Sequence, residues 1–281
     1  TACRRIVRAV RVRQRLAPAP APHQIHYPRN TVGQEQQDDQ PGHKEEKVNK
    51  EEETHKEKKK FNISNFLKRY WPVFVLIGNR ECQPDFAQAI AATRSTYPSV
   101  INLSEVRVVE FAQLTLLSLP GYHDANYINC KDGCQYYKAD VDDLIEEARR
   151  AKTPVALISH GPPHGSGDQS LDFTGNGGNV GDEQINRALH DAKIAFGIFS
   201  NIKEAGARAF ADAEGTTAVA EGTESASLYL NPGPADSSQW KMNDRTTSVG
   251  MASVFEVKNG QARFKMLRLA NEVGSKKRSP K

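Results

Sequence analysis

"PVALISHGPPHG", residues 154–165, decides how this chain is read. A short apolar run stops at His160. The chain then turns through Gly161, Pro162 and Pro163, a loop too stiff to move far. The run is uninterrupted and not alternating, as in a strand buried on both faces of an α/β sheet. In such sheets ligands bind beyond the carboxyl ends of strands. A histidine at that point either holds a metal or a phosphate, or is a remnant hydrogen-bonded at a strand end.

Working outward, the same pattern recurs twice. "VFVLI" (73–77) is a continuous apolar run that ends in Gly78-Asn79-Arg80-Glu81, and "IAFGIFS" (194–200) runs into Asn201-Ile202-Lys203-Glu204. Between these runs the periodicity turns helical. "FNISNFLKRYWP" (61–72) suits a short helix ended by Pro72, and "DFAQAIAATRS" (85–95) a second. "DVDDLIEEARRA" (140–151) has an acidic start and a basic end that match the helix dipole. "DEQINRALHDA" (182–192) makes a further helix. "VRVVEF" and "QLTLLSLP" read as a hairpin through Ala112, and "SLYLNPG", "GMASVFEV" and "QARFKMLRL" as three more strands. The alternation of strands and helices, with a β-rich end, predicts an α/β sandwich with mixed sheets.

The order of these strand ends carries a resemblance. Gly78-Asn79-Arg80-Glu81, His160-Gly161-Pro162-Pro163, the Ser200–Gly206 turn and Asn231-Pro232-Gly233 resemble successive motifs of the calcineurin-like metallophosphoesterases. "LPGYHD" and "GNVGD" resemble further segments of that family, and the resemblance covers roughly 61–270. It implies an α-β-β-α sandwich with two mixed sheets. It also implies a chemistry: two divalent ions (Mn, Fe or Zn), bridged by an Asp and a hydroxide, would polarise a phosphoryl group and supply the hydroxide that attacks it in line.

The departures weigh against that chemistry. No Asp-x-His occurs in the sequence. Its two Gly-Asp pairs, Gly167-Asp168 and Gly181-Asp182, follow His160 instead of preceding it. Arg80 stands where the motif has His, and Asn201 and Lys203 stand where it has two histidines. Of the ligand set only Asn79 and His160 remain. An amide oxygen and an imidazole do not hold two divalent ions, and Arg80 and Lys203 add positive charge where cations would sit. Arg80, His160 and Lys203 could instead hold a phosphate. His123 and Asp124 are conceivable replacement ligands. The plainer reading makes Arg80–Glu81 an ion pair and His160 a relic.

Bulk numbers limit the alternatives. The 281 residues carry net charge +4 and 38% hydrophobic residues, with a mean hydropathy of −0.63 and a pI near 8.8. That is too mild for a dedicated nucleic-acid binder. No apolar run reaches the roughly 20 residues of a bilayer span. Cys3, Cys82, Cys130 and Cys134 have no zinc spacing. They read as free thiols in a reducing compartment, with a local Cys130–Cys134 bridge left open. The glycines from Gly161 to Gly181 follow neither nucleotide-binding pattern.

Three segments are expected: a basic arm, Pro-rich linker and Lys/Glu run (1–60), a metallophosphoesterase-like domain (61–270) and a basic tail (271–281). The first stretch is Arg-rich and free of acids before Glu35. That reads as a mitochondrial targeting remnant or as a partner-binding arm. Its "RIVRAVRV" is a candidate to fill the edge left by the missing first strand.

The expectation is a catalytically inactive, metal-free metallophosphoesterase-like subunit of a larger assembly. The assembly is suspected to be mitochondrial, otherwise cytoplasmic. The partners would be other protein subunits, with RNA or an acidic surface touching residues 1–15 and 276–281. An active phosphoesterase with ligands supplied from outside the chain is one alternative, and a phosphate or nucleotide sensor is another. The relic site would be Asn79, Arg80, His160, Asn201 and Lys203.

Overall fold

The computed structural model describes residues 71–269 and the backbone of Ala9–Arg11. The linker, the Lys/Glu run and the basic tail lie outside the described residues, as does the helix expected at 61–72 apart from Trp71 and Pro72, which are not helical. Strands are numbered in chain order: β1 Ala9–Arg11, β2 Val73–Val75, β3 Val100–Asn102, β4 Val108–Glu110, β5 Thr115–Leu119, β6 Val155–Ser159, β7 Phe196–Phe199, β8 Arg208–Phe210, β9 Leu228–Asn231, β10 Trp240–Lys241, β11 Thr247–Ser248, β12 Met251–Lys258 and β13 Gln261–Arg268. The helices are α1 Gln83–Thr96, α2 Lys138–Arg150 and α3 Glu183–Asp191.

One mixed sheet of seven strands runs β1-β4-β5-β6-β7-β9-β8. β5, β6, β7 and β9 are mutually parallel, while β4–β5 and β8–β9 are antiparallel. β1, which lies within "RIVRAVRV", pairs in parallel with β4 at one edge of the sheet, Ala9 opposite Val108. β2–β3, β10–β11 and β12–β13 are separate two-stranded ladders. The chain is thus a mixed α/β fold with several sheets.

Helix periodicity builds one layer. α2 buries Val141, Leu144, Ile145 and Ala148, a stripe at i, i+3, i+4 and i+7. Tyr137 N donates to Asp140 Oδ2 at 2.8 Å, closing its first turn. α3 starts at Asp182, whose carboxylate accepts from Gln184 N at 2.9 Å, and buries Ile185, Ala188 and Leu189. Both helices cover Leu117, Leu119, Val155, Leu157 and Phe199 of the sheet. Each such side chain contributes about 1.5–3 kcal/mol on burial. The opposite face, with Ala156, Phe196, Leu228 and Leu230, packs on Ala262 and Phe264 of the β12–β13 hairpin.

β2 is shorter and more exposed than "VFVLI" implied. Val73 is half exposed, and of the five residues only Ile77 is buried. Among the described residues β2 pairs with β3 alone, which leaves one of its edges without a strand partner. Beyond β2, Ile77 O accepts from Gly121 N at 3.1 Å, which ties the end of β2 to the residues that follow β5.

Candidate functional site

The parallel register of β6 and β7 sets Ser159 opposite Phe199, so the two strands deliver His160 and Ser200 side by side. Ser200 N donates to His160 O at 3.1 Å. Asn201 follows with φ +65°, a left-handed conformation that asparagine tolerates. The Ile77–Gly121 bond brings Gly78 and Asn79 to the same place. All three polar strand ends therefore meet.

Asn79 is buried. Its Nδ2 donates to Tyr127 O at 3.0 Å, and its Oδ1 lies 2.9 Å from His160 Nε2. With Nδ2 already donating, Oδ1 accepts. These partners therefore assign the proton to Nε2. Burial pushes the His160 pKa below its ordinary 6.5. Glu81 and the Asn201 side chain oppose the shift, and Arg80 adds to it. The imidazole is thus neutral at pH 7.

Glycine makes room for this ring. A Cβ on Gly78 would lie 2.7–2.9 Å from three atoms of the His160 ring. Gly78 N donates to Glu81 Oε2 at 3.0 Å, which engages one oxygen of that carboxylate. Tyr122 stands edge-on to His160, with ring centroids 6.2 Å apart. Burial chiefly raises the Tyr122 phenol to about 12, against an opposing hydrogen bond from Asn201. A Cβ on Gly161 would strike the Tyr122 ring at 2.9 Å.

Of the residues named from sequence, Asn79, His160 and Asn201 come together. Arg80 stays exposed and reaches His160 only through its charge. Lys203 turns elsewhere: its ammonium sits 3.8 Å from the centroid of the Trp240 ring, and its charge acts on Asp236. The phosphate trio Arg80, His160 and Lys203 is not gathered around one point. Tyr122 and Tyr127, which sequence reasoning did not single out, complete the cluster. The only signal for them was their place in "LPGYHD" and the turn that follows.

The residues present do not fit a pair of divalent ions. The two donors, Asn79 and His160, are hydrogen-bonded to each other, and one oxygen of the nearby Glu81 carboxylate accepts from a backbone amide. Among the described residues no three His, Cys, Asp or Glu side chains converge as a metal site. His123 and Asp124 line an open cleft of about 470 Å³ with Tyr127, His164, Asp182 and Glu183. Asp182 there is engaged by Tyr136 Oη at 2.9 Å and by the start of α3.

The cysteines correct the free-thiol expectation. Cys82 and Cys130 form a disulfide, and Cys134 is disulfide-bonded as well. No described cysteine is a free thiol. No helix among the described residues is long and apolar enough to cross a membrane.

No protein-family model and no curated protein matches the sequence. One solved structure aligns with a TM-score of 0.44 and 14% identity over 59% of this chain, and this chain spans 59% of that one. The crystal structure of TT1561 of Thermus thermophilus aligns with a TM-score of 0.39 and 10% identity, covering 68% of this chain and 71% of its own.

Proposed function

We propose that the chain is a catalytically inactive metallophosphoesterase-like protein, an α-β-β-α fold without its metal centre, and that it serves as a structural or interaction subunit. One observation carries this reading. Asn79 and His160, the two residues left of the ligand set, satisfy each other at 2.9 Å. A metal would have to break that bond and offset the desolvation of both groups. The neutral, buried imidazole also offers no charge to a phosphate. The displacement of Lys203 onto Trp240 disfavours a phosphate sensor.

The test is metal uptake and turnover on the full chain. The purified protein is soaked in manganese and zinc, desalted, assayed by metal mass spectrometry and offered a generic phosphodiester. No retained metal and no turnover are expected. About two equivalents of metal, with turnover abolished by His160→Ala, would overturn the reading.

A further inference from the structure

Cys82 and Cys130 lie 48 positions apart, with Cα atoms 5.4 Å apart. The bond joins the residue that starts α1, three positions beyond Asn79, to the loop 120–134. The same contact is laced by backbone: Asn129 N donates to Asn79 O at 2.9 Å and Gln83 N to Asp132 O at 3.0 Å. This loop carries Tyr122 and Tyr127 to the strand ends and forms part of the 470 Å³ cleft. Cys82 and Cys130 are each half-buried, whereas Cys134 is fully buried. Access decides which disulfide exchanges first.

We propose that Cys82–Cys130 is a redox-sensitive clamp, closed in an oxidising compartment, that holds loop 120–134 over the Asn79–His160 pair. Closing it removes two protons and two electrons from the two thiols. A donor disulfide such as oxidised glutathione takes them and becomes two thiols. Opening reverses the exchange and frees the loop, with the exposed Tyr127, from Asn79. Bonded cysteines in a chain of this size fit a secretory, periplasmic or intermembrane setting, not a glutathione-reduced one.

The full chain is made under oxidising conditions and equilibrated in glutathione buffers of decreasing potential. It is trapped with iodoacetamide, mapped by mass spectrometry and followed by hydrogen exchange. Cys82 and Cys130 should label together, before Cys134. Exchange at 120–134 should then rise about tenfold or more while β6 and β7 stay protected. Labelling of Cys82 and Cys130 in the unreduced chain would overturn the clamp. So would unchanged exchange at 120–134 after their reduction, or loss of protection in β6 and β7 at the same step. None of these readouts depends on metal or turnover, so the clamp and the inactive-fold reading stand or fall separately.

Discussion

Gly78 and His160 are far apart in sequence, yet the glycine's Cα forms the floor beneath the imidazole. A methyl there would sit 2.7 Å from His160 Cε1. Gly78→Ala should therefore cost about 1–3 kcal/mol through overpacking. His160→Ala in the same chain should recover most of that loss, because it removes the atoms that collide. Chemical denaturation of both single variants and the double variant measures the coupling. Additive losses would place the strain elsewhere.

Asp172 holds the Gly-rich loop between His160 and α3. It is fully buried and accepts from Ser170 Oγ at 2.7 Å, Asn179 Nδ2 at 2.7 Å and Gly181 N at 2.8 Å. Asp172→Ala removes the acceptor these three donors share; Ser170 Oγ and Asn179 Nδ2 keep Gly167 O, while Gly181 N loses its carboxylate partner. A loss of about 3 kcal/mol is expected, with raised hydrogen exchange across 165–182. An exposed loop held only by its turns would show neither effect.

Much of the frame was legible because it repeats. The stripe at 141, 144, 145 and 148 announces a helix by its period, and the uninterrupted apolar runs at 155–159 and 196–199 announce two buried strands by their length and composition. Two of the polar strand ends stood out for the same reason: His160 and Asn79 each interrupt an apolar pattern. β3, β8, β10 and β11 did not stand out, since two or three residues carry no period. The Cys82–Cys130 pairing was equally hidden, because nothing local distinguishes that partner from Cys134. Lys203 misled for a physical reason: an aromatic face much later in the chain, Trp240, competes for the ammonium.

That competition gives a direct readout. Lys203→Ala should alter Trp240 emission while leaving the His160 proton resonances in place. The stability cost should be about 0.5–1 kcal/mol, as for an exposed cation over a ring. A shift of the His160 resonances would return Lys203 to the strand-end cluster.

The disulfide closes a loop of 48 residues. On chain-entropy grounds, removing it should cost about 4 kcal/mol. Cys82→Ser/Cys130→Ser should therefore lower the denaturant midpoint sharply, and reductant should add little further loss from this pair.

Burial of His160 links folding to pH. Its folded-state pKa lies below the ordinary 6.5, with desolvation the largest cause. Well above 6.5 the ring is neutral in both the folded and unfolded states and contributes no slope. As pH falls below 6.5 the unfolded chain takes up a proton that the folded chain refuses, so stability is lost. The loss continues down to the folded value and then levels off. Its slope is at most about 1.4 kcal/mol per pH unit from this one group. Denaturation series from about pH 7.5 to about pH 5 should show this decline, and His160→Gln, which keeps a donor for Asn79, should flatten it. An unchanged slope in the variant would mean that other groups carry the acid sensitivity and that the imidazole is charged in the folded chain.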